Sequence, residues 1–110
     1  MVIVTSRQPF GLVYDPDVRA HLRAIERKYH SLIRATIEEQ LRFEPGKETR
    51  KRKPLQRPLA FEATWELRCG PDNRFRVLYA VSHARREVQV LAVGIKERDR
   101  LRVGREEIKL

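Results

Sequence analysis

Two hydrophobic periods divide this chain. Between residues 18 and 41, apolar residues recur every three or four positions. Val18, Leu22, Ile25 and Tyr29 line one helical face, and Ile33, Ile37 and Leu41 line a second, with Leu32 on a neighbouring row. Asp15-Pro16 supplies a start signal, with Asp as cap and proline at the first helical position. The pattern predicts helices over 16–29 and 31–43, ending before Pro45-Gly46 and preceded by a short strand at 10–14 (FGLVY). From Glu62 the period becomes two. Trp65, Leu67 and Cys69 alternate with Thr64, Glu66 and Arg68. Beyond the turn at Gly70-Pro71-Asp72-Asn73, Phe75, Val77, Tyr79 and Val81 alternate with Arg74, Arg76, Leu78 and Ala80. Residues 87–95 (EVQVLAVGI) are apolar at nearly every position after Gln89, as in a strand covered on both faces. The expected fold is α+β: a strand, a two-helix hairpin, then a three-stranded antiparallel meander with the helices on one face of the sheet.

Between the two patterns, KETRKRKPLQRP (47–58) carries six basic residues and one acid, Glu48, with two prolines and no apolar period. It is expected to be a basic loop. The tail, 96–110, is charged and has no assigned element type.

Length and composition narrow the classes. A chain of 110 residues accommodates one domain, expected over 1–110. Lys and Arg total 24 against 15 Asp and Glu, and a formal charge of +9 favours a polyanion or an acidic protein as partner. A single cysteine, Cys69, forms no internal disulfide, which fits a reducing compartment. No stretch approaches a membrane span and the first ten residues lack a signal-peptide core, so a soluble, cytoplasmic protein is expected. His21, His30 and His83 are far apart and no Cys/His spacing suits zinc, so neither a metal nor a cofactor is expected.

Strand parity places Glu66, Arg68, Arg74 and Arg76 on one face of the hairpin. Arginines opposed across strands repel one another, so a sheet that keeps them has a use for an anion; the alternative is a solvated surface. Arginine suits phosphate because its planar fork donates two parallel hydrogen bonds. Lys51, Arg52 and Lys53 of the basic loop extend the cationic surface. Lys96, Arg98, Arg100 and Arg102 do so from the tail if the last strand continues past Gly94. Trp65, Phe75 and Tyr79 fall on the apolar parity, which points to backbone contact and away from base stacking.

The segment WELRCGPDNRFRVLYAVSHARREVQVLAVGIKER (65–98) resembles the C-terminal half of toxins of the RelE/ParE superfamily. Its most specific parts are Phe75-Arg76-Val77-Leu78-Tyr79 and Ala92-Val93-Gly94. The resemblance implies a toxin of a type II toxin–antitoxin system, bound in a hetero-oligomer by a cognate antitoxin. It implies either a ribosome-dependent mRNA endoribonuclease or a non-catalytic toxin directed at DNA gyrase; a basic RNA-binding module is the remaining alternative. For a ribonuclease it places Arg76 on the phosphate and Lys96 as the basic residue after the strand-end glycine. Lys53 stands where some members carry an acid, and Glu66 is the nearby carboxylate able to act as base. Arg68, Arg74, Lys51, Arg52, Lys53 and Arg98 complete the expected nucleic-acid contacts. The tyrosine or histidine that ribonuclease members carry shortly after the last strand has no counterpart in 96–110.

Overall fold

In a computed structural model, which describes residues 8–56 and 60–110, the architecture departs from the expected one. The described residues form one sheet of seven strands: β1 (Gly11–Tyr14), β2 (Arg52–Pro54), β3 (Trp65–Cys69), β4 (Phe75–Ser82), β5 (Glu87–Glu97), β6 (Arg100–Val103) and β7 (Glu106–Lys109). The three-stranded meander is therefore only the β3–β4–β5 centre of a larger, mostly antiparallel sheet ordered β2-β3-β4-β5-β6-β7. β1 is the parallel exception, pairing with the first half of β5 from Gly11 opposite Glu87 to Tyr14 opposite Val90.

The two-helix hairpin is also corrected. One short helix, α1 (Val18–Arg23), and one longer helix, α2 (His30–Leu41), are joined through a 3-10 turn at Arg27–Tyr29. The chain leaves the helix because Glu26 is extended (φ −52°, ψ 133°). The carbonyl of Ile25 is compensated by the His30 ring, whose Nε2 lies 2.8 Å away. Val18, Ile25, Ile33, Ile37 and Leu41 are buried nonetheless, and pack on Leu67, Cys69, Phe75, Val77, Tyr79, Val88, Val90, Val93 and Ile95.

The basic loop contains β2, an edge strand in which Pro54 is tolerated because its missing N–H breaks no central ladder. Residues 57 and 58 of that loop lie outside the described residues. The charged tail completes β5 and then forms the β6–β7 hairpin, turning at Gly104 with φ +59°.

β5 reads as apolar on both faces for two reasons. A bulge between Leu78 and Tyr79 changes the register, so that Val88 and Val90 before it and Val93 and Ile95 after it all reach the helix-side core. On the opposite face Ala92 joins Leu78, Leu101, Val103 and Ala63 in a second, smaller core beneath the C-terminal hairpin. Gly94 permits that hairpin's approach: a Cβ there would lie 2.8 Å from the Arg102 carbonyl oxygen and 2.9 Å from Val103 Cγ2.

Candidate functional site

The face of the sheet opposite the helices carries a hollow of about 310 Å³, lined by Glu48, Lys53, Pro54, Leu55, Gln56, Glu66, Arg68, Arg76, Lys96 and Leu110. Four strands supply its cations and Glu66, and the loop before β2 supplies Glu48. The β2–β3 register sets Lys53 opposite Glu66, and the β3–β4 register sets Arg68 opposite Arg76. The β4–β5 register sets Arg76 opposite Gly94, two residues before Lys96. Each of these side chains has the parity that faces away from the helix-side core, the parity shared by Leu78, Ala92 and Leu101 of the smaller core.

At the floor lies Arg76, only 8% exposed. Its Nε donates to the Asn73 carbonyl at 3.0 Å and its Nη1 to Glu66 Oε1 at 3.0 Å. The same oxygen accepts from Arg68 Nε at 2.9 Å. Glu66 is itself buried, so the two arginines opposed across the strands are held by one shared carboxylate oxygen. Burial pulls the Arg76 guanidinium below its ordinary value and the Glu66 charge opposes that pull. Lys96 Nζ donates to the Arg98 carbonyl at 2.8 Å, and Lys53 pairs with Glu48 at 3.3 Å. Four cationic and two carboxylate side chains therefore line the hollow, so its side chains are cationic in excess by two. That is the electrostatics of an oxyanion site with guanidinium donors at its base.

Five of the expected residues converge here: Glu66, Arg76, Lys96, Arg68 and Lys53. Four others are placed elsewhere. Arg52 has the parity of Leu67 and turns to the helix side, where it donates to the Gln40 carbonyl at 2.7 Å, Gln40 Oε1 at 3.1 Å and the Lys47 carbonyl at 3.0 Å. Arg74 lies before β4 with helical backbone, and its guanidinium stands 5.9 Å from the Phe75 ring centre, beside Tyr29 and Arg102. Arg98 occupies the β5–β6 turn with φ +58° and contributes its carbonyl to Lys96. Lys51 is exposed outside the hollow, and its carbonyl accepts the Arg68 amide at 2.8 Å. Strand parity did not extend to Arg100 and Arg102, which pair with Glu107 and Glu97.

Glu48, Pro54, Leu55, Gln56 and Leu110 also line the hollow, beyond the residues that strand parity and charge single out. Glu48, the lone acid within a basic run, was the available signal. Leu110 had none, because it arrives with a hairpin the charge pattern concealed.

Cys69 is fully buried, and burial pushes its thiol up to about 11, so it is a packed core residue and not a nucleophile. Tyr79, also fully buried, donates its hydroxyl to the Pro45 carbonyl at 2.7 Å, and burial raises its pKa. A larger hollow of about 640 Å³ lies on the helix side, between β1, α1 and α2. Its rim mixes Arg19 and Arg34 with Asp15 and Glu38, so it has no charge preference for an anion. No three His, Cys, Asp or Glu side chains among the described residues are grouped to hold a metal ion, and no helix among them is long and apolar enough to cross a membrane. No family model, no curated protein and no solved structure matches this chain.

Proposed function

We propose that this chain is the toxin of a type II toxin–antitoxin pair, of the RelE/ParE kind, and that it inhibits translation by acting on ribosome-bound mRNA. The observation that supports this reading is the convergence of Lys53, Arg68, Arg76 and Lys96, from four separate strands, on one hollow with a buried arginine at its base. In the reaction, the ribose 2′-oxygen loses its proton and bonds to the adjacent phosphorus while the bond from phosphorus to the 5′-oxygen breaks and that oxygen takes up a proton. Arg76 and Lys96 hold the phosphate and stabilise the charge that builds on its equatorial oxygens. An acidic, partly disordered segment of the antitoxin is the partner chemistry that a protein of charge +9 favours.

A second reading, a non-catalytic toxin of gyrase, draws on one observation: no histidine or tyrosine is among the residues lining the hollow. Cell-free translation with the purified protein separates the two. The first reading expects arrest with new mRNA 5′ ends. Arg76→Ala should lower the cleavage rate by roughly 10²–10³ while the protein stays folded. Continued translation with intact mRNA, together with blocked supercoiling in a gyrase assay, would replace it by the second. Full activity in a folded Arg76→Ala variant would remove the hollow from both.

A further inference from the structure

We infer that Glu66 is a positioning residue, and that with Arg68 and Arg76 it forms a preassembled phosphate fork. The inference rests on the proposed phosphate site but concerns how that site is built. Arg68 and Arg76 stand directly opposite one another across β3 and β4, an arrangement of like charges that is unfavourable by itself. One oxygen, Glu66 Oε1, accepts from Arg68 Nε at 2.9 Å and from Arg76 Nη1 at 3.0 Å. The Asn73 carbonyl takes Arg76 Nε at 3.0 Å, so that guanidinium is fixed at two points.

These bonds decide which donors remain. Arg68 keeps both terminal nitrogens and Arg76 keeps Nη2 without a partner among the described residues. Those are the N–H groups a phosphate oxygen can accept from, and they belong to side chains that line the same hollow as Lys96. Oε1 accepts from both cations at once, so turning the Glu66 carboxylate away from the fork would break both bonds. Orienting donors before the ligand arrives lowers the ordering cost of binding, which is what a buried carboxylate at this point supplies.

The test compares Glu66→Gln with Glu66→Ala in the full chain. Both remove the negative charge, so electrostatic gain for an anion is common to them, and only glutamine keeps an oxygen able to accept from both arginines. Binding is read with a fluorescent single-stranded RNA hexamer carrying 2′-O-methyl groups, so that no cleavage intervenes, and with inorganic phosphate followed by the ¹⁵Nε resonances of the arginines. Glu66→Gln should bind the hexamer roughly tenfold more tightly than Glu66→Ala, the difference expected for lost charge-assisted hydrogen bonds. Its Arg68 and Arg76 Nε signals should stay resolved and should move with phosphate. In Glu66→Ala they should broaden while the backbone spectrum remains that of a folded protein. Equal affinities for the two variants, or equally broadened Nε signals, overturn the inference. In a cleavage assay a base would make Glu66→Gln as inactive as Glu66→Ala, and that also overturns it. If the protein proves not to be a toxin, phosphate-dependent Nε shifts still report on the fork, so the two failures are distinguishable.

Discussion

Arg52 and Arg76 show how one residue type takes two roles according to strand parity. Both are arginines with 8% exposure, yet one faces the helix and the other the hollow. Arg52 donates to two backbone carbonyls and one side-chain amide that join β2 to α2 and the preceding loop. Replacing it with alanine leaves the Gln40 and Lys47 carbonyls without that donor and should cost about 2–3 kcal/mol in urea denaturation. Phosphate-induced shifts at Arg76 should persist in that variant. Loss of those shifts with unchanged stability would mean that Arg52 belongs to the anion site after all. The sequence could group Arg52 with Lys51 and Lys53 by charge, but a basic run with prolines carries no period from which to read a face. By contrast, Glu66, Arg68 and Arg76 were legible as one group, because the alternating apolar residues around them fix which way each one turns. The same rule fails at Arg74, because the turn at Pro71–Asn73 continues through it with helical backbone and the strand starts one residue later.

At the scale of elements, the central hairpin was legible and the boundaries of everything around it were not. The β3–β4 alternation follows directly from burial of Leu67, Cys69, Phe75, Val77 and Tyr79 on one face. The break between α1 and α2 has no glycine or proline to announce it and depends on a histidine five residues beyond the carbonyl it meets. β7 alternates weakly, because Glu106, Glu107 and Lys109 surround a single apolar Ile108. A gap in the sheet has a similar tertiary solution. β1 pairs with β5 up to Val90 and β6 pairs with it from Ile95, so between them the Val93 N–H has no strand partner on that edge. His21 of α1 fills the gap, accepting that N–H at Nδ1 across 3.3 Å beside the Phe61 ring. The acceptor requires a neutral imidazole, and burial holds the His21 pKa below its ordinary value, with Asp17, Asp15 and Glu106 opposing. Because the folded pKa is depressed, the unfolded chain binds the extra proton first. The His21 contribution is therefore complete above about pH 6.5 and declines as the pH falls below it. Urea midpoints measured from pH 8 to 5 should fall more steeply for the wild type than for His21→Gln. Parallel curves would show that His21 does not titrate against this bond.

For the whole molecule, a charge of +9 is compatible with two kinds of RNA binding, and salt dependence separates them. In the first, basic side chains spread over the surface attract the polyanion without a defined site, and every exposed cation counts about equally. In the second, the hollow fixes the contacts, and Lys53, Arg68, Arg76 and Lys96 carry most of the binding. Each single-strand phosphate neutralised releases counterions, giving a contribution of about 0.7 to the slope of log K against log salt. Three or four contacts in the hollow predict a slope of roughly −2 to −3 for the 2′-O-methyl hexamer. Arg76→Ala should reduce that slope by about 0.7. Arg19→Ala, an exposed arginine at the rim of the hollow on the helix side, is the matched control because it removes the same formal charge. It should leave the slope at the wild-type value. Equal reductions for the two variants would mean that the charge acts as a diffuse field. The face opposite the helices would then be a solvated sheet surface whose arginines are balanced by Glu66 alone.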